Sequence, residues 1–181
     1  MPRIDPSIVV HEIKTYPTTK PVRQKLRQVH PRKAATIEAE IEKLIKVGFI
    51  YPIPLIEWVL NVVHVNKKQG TIRVCIDFRD LNKDCPKDNF PTPHIDQIID
   101  NCVESVIFSF MDGFSGYNQI EILPTNQHKM AFIFPRGTFA YRKLPFGLKN
   151  VGATFQHAMS YVFHDIKNMV ELYLDYLPAH S

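Results

Sequence analysis

Val106-Ile107-Phe108-Ser109-Phe110-Met111 runs straight into Asp112-Gly113. The run has strand length and is almost continuously apolar, the pattern of a strand buried on both faces, and it stops at a carboxylate followed by glycine. Val170 to Leu174 reads as another strand and is closed in the same way by Asp175. A carboxylate placed directly after a buried strand is lifted to the rim of a sheet while its backbone stays rigid. A hard cation such as Mg²⁺, which holds its oxygen ligands at roughly 2.0–2.1 Å, requires ligands fixed in this way. If the two strands are neighbours, Asp112 and Asp175 converge. Spacing alone leaves a second reading open, in which Asp112-Gly113 is a turn and Asp175 solvates a strand end.

Outward from this junction, strands and helices mix without regular alternation. Proline at 31, Ile37, Ile41, Leu44 and Ile45 on one face, and Gly48 as a stop predict a helix. Val59–Val65 and Thr71–Phe78 read as strands joined by a turn at Lys67-Lys68-Gln69-Gly70, followed by a polar loop from Leu81 to Pro93 and a short helix around Ile95–Asn101. Beyond Asp112, three strands are expected at Gln119–Leu123, Met130–Phe134 and Thr138–Leu144, then a helix from Ala153 to Asn168. This order predicts an α+β fold, a mixed and mainly antiparallel sheet with helices on one face. Residues 1–32 carry five prolines and no sustained period, so they read as an extended arm, with 33–181 as the domain.

The chain has 181 residues, 45% hydrophobic and 22% charged, which bounds it to one globular domain or a little more. Cys75, Cys85 and Cys102 form no CxxC pair, which argues against a zinc ribbon or a disulfide framework and predicts free thiols. No secretory leader or membrane span is expected, since no stretch approaches 18 apolar residues. The net charge is +4, and Lys20, Arg23, Lys25, Arg27, Arg32 and Lys33 concentrate it near the front. Such a cluster either neutralises phosphates, with counterion release, or forms a solvated surface. The eight histidines lack HExxH or paired Cys/His spacing, Ser115 lies outside any GxSxG, and no GxGxxG or GxxxxGK[ST] occurs. Zinc, nucleophile-elbow and doubly wound nucleotide folds are thereby set aside.

Several blocks together carry a family resemblance across almost the whole chain. Trp58 to Val65, Lys67-Lys68-Gln69-Gly70 and Arg73-Val74-Cys75-Ile76-Asp77-Phe78-Arg79-Asp80-Leu81-Asn82 resemble the fingers hairpin of reverse transcriptases. Phe90-Pro91-Thr92-Pro93, Ser109 to Ile120 and Leu144-Pro145-Phe146-Gly147-Leu148-Lys149-Asn150 are similar to the palm blocks of gypsy-type long-terminal-repeat retrotransposons, especially plant ones. The resemblance implies fingers and most of a palm, an RNA-directed DNA polymerase within a Pol polyprotein, and an intracellular location, cytoplasmic or nuclear. It implies two Mg²⁺ ions, for which Mn²⁺ can substitute, an RNA or DNA template-primer and deoxynucleoside triphosphates. Asp112 and Asp175 then match the catalytic metal-binding aspartates, and the Gly113 carbonyl matches a backbone ligand. Lys67 and Arg73 match the residues that hold the incoming triphosphate. Tyr117 matches the aromatic gate that excludes a 2′-hydroxyl, and Phe146 and Gly147 match the block lining the nucleotide pocket.

The chain departs from the family pattern at Tyr176, where Tyr173-Leu174-Asp175-Tyr176 puts a phenol in place of a second aspartate. A neutral phenol, with an ordinary pKa near 10, is a poor Mg²⁺ ligand. Pro178 is expected to interrupt a return strand. The sequence stops just after this motif, so the rest of the palm, a thumb and a ribonuclease H domain are expected to be absent. The resulting expectation is an impaired reverse transcriptase fragment, with a non-catalytic nucleic-acid-binding remnant as the alternative.

Overall fold

Ile37 and Ile41 stand one turn apart on the first helix, and both are fully buried. The computed structural model describes residues 4–54, 56–66, 72–91, 94–103, 105–113, 116–173 and 176–180, with the backbone alone at 32, 66, 72 and 112. The helix, α1, spans Pro31–Lys46 as the sequence predicts. Ile45 is exposed, because eight residues past Ile37 the helix has turned about 80° away from the buried stripe. Gly48 takes φ +75° just past the helix end, a left-handed conformation that glycine adopts without a Cβ clash.

Five strands form the main sheet: β2 (Ile50–Pro52), β3 (Leu60–Asn66), β4 (Ile72–Ile76), β7 (Ala131–Phe134) and β8 (Gly137–Tyr141). Their order is β2-β8-β7-β3-β4, antiparallel except for the β3–β7 pair. Leu60, Phe132, Met130, Ile50 and Leu144 pack beneath this sheet, together with Ile37 and Ile41. The arm is bound to the domain. Its β1 (Val10–His11) pairs in parallel with β6 (Glu121–Ile122), and Arg23 bridges Val59. The turn at Lys67 to Gly70 lies outside the described residues.

Four elements differ from expectation. Arg79–Asp84 forms a helix, α2, that runs into the start of the expected polar loop; at six residues it buries only Leu81 and is too short to show a period. Gln119–Leu123 shrinks to β6, because residues 116–119 form a 3₁₀ turn. The helix expected over Ala153–Asn168 is α4, Val151–Val162. It ends where Phe163 leaves helical geometry at φ −99°, ψ 16°. The final strand, β9, is Tyr176–His180, while Val170 and Tyr173 make only isolated bridges to it.

β9 pairs antiparallel with β5 (Phe108–Asp112). Pro178 does not interrupt this ladder, for a reason of parity. The backbone groups of Tyr176, Pro178 and His180 point away from β5, bonding to Tyr173, Glu171 and Met169. The ladder bonds to β5 therefore fall on Leu177 and Ala179, and the missing N–H of Pro178 faces the other way. The run that ends at Asp112 is not covered on both faces: Phe110 is 79% exposed and Val106 89%. An apolar run records what a strand prefers to lie against. Among the described residues, β9 and one side of α3 (Ile95–Cys102) lie beside it, so much of its surface stays open.

Candidate active site

The end of β5 is tied to the turn behind it by one short bond, in which the Gly116 N–H donates to the Gly113 carbonyl at 2.7 Å. That turn opens the 3₁₀ segment Gly116–Gln119 and places Tyr117 in the interior at 8% exposure. Glycine is required at 116 by close approach: a Cβ there would lie 2.7 Å from Cζ of Phe155 on α4. The Tyr117 ring meets Phe155 and Phe146 edge-on, each at 5.0 Å between centroids. Phe146 is more than half exposed, so the aromatic stack opens to solvent on that side. Next to it Gly147 takes φ +90°, a conformation that suits only glycine without strain.

Across from β5, Tyr173 and Tyr176 exchange both backbone hydrogen bonds, at 3.0 and 2.9 Å, around residues 174 and 175. The buried Gln156 of α4 steadies this stretch by donating from Nε2 to the Leu172 carbonyl at 2.9 Å. The ladder register pairs Asp112 with Tyr176. The departing residue of the motif thus stands opposite the first aspartate. Asp175 and Lys67 lie outside the described residues. Arg73 is exposed on β4, opposite Val65. The structure brings Asp112, Gly113 and Tyr176 together at one strand end and Tyr117, Phe146 and Gly147 at the turns behind it.

Two polar clusters escaped the sequence reading. Asp77, which is 6% exposed, accepts from Arg79 Nε at 2.8 Å and Nη2 at 2.7 Å, and from Arg27 Nη2 of the arm at 2.6 Å. The hydrogen bond from Arg79, seconded by Arg27, holds this carboxyl far below the usual carboxylate range against the opposing effect of burial. The second cluster joins Asn82, Lys149 and Asn150 to facing backbone. Both contain residues in the quoted motifs, but apart from the local Arg79–Asp77 contact their partners lie 50 or more residues away.

Residues 65–177 match the family of reverse transcriptases (RNA-dependent DNA polymerases). The chain belongs to that family. This reverse transcriptase domain is 33% identical over 152 residues to the Tf2-7 transposon polyprotein of Schizosaccharomyces pombe, and the match covers 83% of the chain and 11% of the polyprotein. The native prototype foamy virus protease-reverse transcriptase superposes with a TM-score of 0.82 at 25% identity, over 95% of this chain and 23% of the viral one. A foamy viral protease-reverse transcriptase in complex with an RNA/DNA hybrid matches in fold, with a TM-score of 0.80 at 22% identity over 91% of this chain and 22% of that one. The chain therefore spans about a tenth of the polyprotein it matches.

Reverse transcriptases use divalent metal ions, and the donor types that the resemblance implies for this chain are those that suit a hard cation. Asp112, Asp175 and the Gly113 carbonyl offer only oxygen. Gly113 O accepts one hydrogen bond, from Gly116, and a carbonyl has a second lone pair to offer. Among the described residues no three His, Cys, Asp or Glu side chains converge.

Proposed function

We propose that this domain is the fingers and most of the palm of a gypsy-type, plant-like long-terminal-repeat retrotransposon reverse transcriptase, with an RNA-directed DNA synthesis site impaired at Tyr176. The pairing of Asp112 with Tyr176 carries the reading. It makes residue 176 the nearest cross-strand neighbour of the first aspartate, where a second carboxylate would complete the ligand set.

In this reading Asp112, Asp175 and the Gly113 carbonyl hold two Mg²⁺ ions, or Mn²⁺ in their place. Bound there, the ions would supply Lewis acidity to a primer 3′-hydroxyl and positive charge beside a departing pyrophosphate. The rest of the work is positioning. Lys67 and Arg73 hold the triphosphate of the incoming deoxynucleotide, since their charge and reach suit phosphate oxygens. Phe146 and Gly147 line the sugar and base, and Tyr117 lies beneath the sugar, where its ring excludes a 2′-hydroxyl by bulk. The template-primer is an RNA or DNA strand with its primer, in accord with the RNA/DNA hybrid bound by the foamy viral protein. The relatives' polyproteins support an intracellular location.

A second reading, a nucleic-acid-binding domain without catalysis, is favoured by the same Tyr176. Single-nucleotide addition on an RNA template separates the two. Product from Tyr176→Asp that disappears in Tyr176→Asp/Asp112→Asn supports the polymerase site. Hybrid binding by both variants with no addition by either assigns the second reading.

A further inference from the structure

The turn that carries Phe146 and Gly147 is locked to the segment around α2 by side chains that bond to backbone in both directions. Asn82 Nδ2 donates to the Gly147 carbonyl at 2.8 Å, and the Lys149 N–H donates to Asn82 Oδ1 at 2.7 Å. Lys149 Nζ returns the contact, donating to the carbonyls of Cys85 at 2.6 Å and Asn82 at 3.1 Å. Asn150 continues the seam: its Oδ1 accepts from the Asp88 N–H and its Nδ2 donates to the Pro86 carbonyl, each at 2.9 Å. Asn150 also takes φ +67°, a left-handed conformation, at the position just before α4, where its side chain makes no cap bond to the helix.

Asn82 is the member of this seam that matters most for the pocket. One planar amide holds the backbone on both sides of Leu148 and so fixes the direction in which residues 146 and 147 leave the turn. Phe78, 2% exposed and one helical turn before Asn82, backs Gly147 from inside, where an added Cβ would come to 3.8 Å of its ring. The consequence reaches Tyr117. Its ring contacts Phe146 at 5.0 Å on one side and the buried Phe155 on the other. Phe155 is fixed by α4 and the core, whereas Phe146 is 56% exposed and has little packing to hold it except the turn.

We infer that Asn82 is a positioning residue for sugar selection, acting through the Gly147 turn and Phe146 to hold Tyr117 against the nucleotide site. This rests on the reading of Tyr117 as the gate. A gate discriminates by bulk only if it cannot recoil, and the seam removes the room to recoil. Asn82→Asp keeps an acceptor for the Lys149 N–H but has no donor for the Gly147 carbonyl. Asn82→Ala loses both bonds.

The test uses the full chain with labelled tyrosine and phenylalanine, and reads structure and selectivity separately. In solution the parent is expected to show a nuclear Overhauser contact between Tyr117 and Phe146 and slow hydrogen exchange at the Lys149 amide. In Asn82→Ala the Tyr117–Phe146 contact is lost while the Tyr117–Phe155 contact remains, with Trp58 fluorescence unchanged. Asn82→Asp weakens the contact while preserving part of the Lys149 protection, which keeps the claim testable if the alanine variant unfolds. Titration with dATP and with ATP, in the presence of Mg²⁺ and an RNA–DNA hybrid, is expected to show the parent's preference for dATP falling about threefold or more in either variant. An unchanged Tyr117–Phe146 contact overturns the inference, and so does a lost contact with unchanged preference. Fast exchange at Lys149 in the parent overturns it as well. A parent that binds both nucleotides without preference overturns the gate reading of Tyr117 instead, with the seam still read by the exchange data.

Discussion

Tyr176 lies directly opposite Asp112 across the β5–β9 ladder. Both backbone groups of Tyr176 are engaged by Tyr173, so the pair belongs to the non-hydrogen-bonded class, in which Cα atoms approach to roughly 4.5 Å. The residue at 176 is therefore a near neighbour of any ion held by Asp112. A carboxylate about 4 Å from a doubly charged ion gains on the order of 8 kcal/mol of gross Coulomb attraction at an effective dielectric of 20, before desolvation. Tyr176→Asp should tighten Mn²⁺ binding by at least about tenfold, since even a small net share of that attraction exceeds one decade. Adding Asp112→Asn should remove the gain, because the ligands act as one unit. Equal Mn²⁺ affinity in the parent, the single and the double variant would show that Asp112 is not part of a metal site.

His11 predicts how the arm responds to pH. It is 3% exposed, its Nδ1 lies 2.8 Å from Thr154 Oγ1 of α4, and burial lowers its pKa from 6.5 to about 4 against the pull of Asp88 and Glu12. Between these two values the unfolded chain takes up a proton that the folded chain refuses. Stability is therefore full above pH 6.5 and falls as the pH drops toward 4, by up to about 3 kcal/mol. Below that, the depressed carboxyl of Asp77 continues the loss in the same direction, since its ion pairs resist protonation only in the folded state. His11→Gln is expected to flatten the upper part of this profile and leave the lower part intact. Urea midpoints at pH about 7 and about 5 decide it, and an equal slope in the variant assigns the pH dependence elsewhere.

The exposed apolar strand carries a different expectation. Val106, Ile107 and Phe110 are each more than 60% exposed, and among the described residues nothing pairs with the outer edge of β5. Open backbone groups beside an uncharged apolar surface invite edge-to-edge pairing. The 181-residue chain should self-associate with rising concentration, and Phe110→Lys should suppress this without lowering stability. Light scattering on eluted fractions is the measurement. A monodisperse monomer at about 100 μM would sink the idea, since open edges of this kind associate readily at micromolar to millimolar concentrations.

How far the sequence reveals all this depends on whether a feature leaves a local trace. Ile37 and Ile41 announce α1 because a helix repeats every 3.6 residues, and β3, β4, β7 and β8 follow from apolar runs punctuated by turns. Asp112 is legible as a strand-end carboxylate. β9 is not, because Pro178 reads as a breaker and only the pairing parity shows which way its missing donor points. The exposure of Phe110 is equally invisible, since an apolar run states a preference and not a neighbour. Asn82 and Lys149 are the extreme case. Their partners are backbone atoms some 65 residues distant, and a hydrogen bond to backbone places no demand on the identity of the residue that receives it.

Gly116 offers the sharpest steric test. A Cβ at 116 would fall 2.7 Å from Cζ and 2.8 Å from Cε2 of Phe155, distances that real contacts do not reach. Phe155 has nowhere to retreat, being 1% exposed and already edge-on against Tyr117. Gly116→Ala should therefore destabilise the chain by about 1–3 kcal/mol, as overpacking in a filled core does. Phe155→Leu alone should also destabilise, through lost ring contacts with Tyr117. Combined, the two should cost less than their sum, because the smaller side chain vacates the space that the new methyl requires. Urea denaturation of the four chains supplies the cycle. Simple additivity would mean that the Gly116–Phe155 approach is not what keeps glycine at the turn, and that the Gly113–Gly116 bond needs it for another reason.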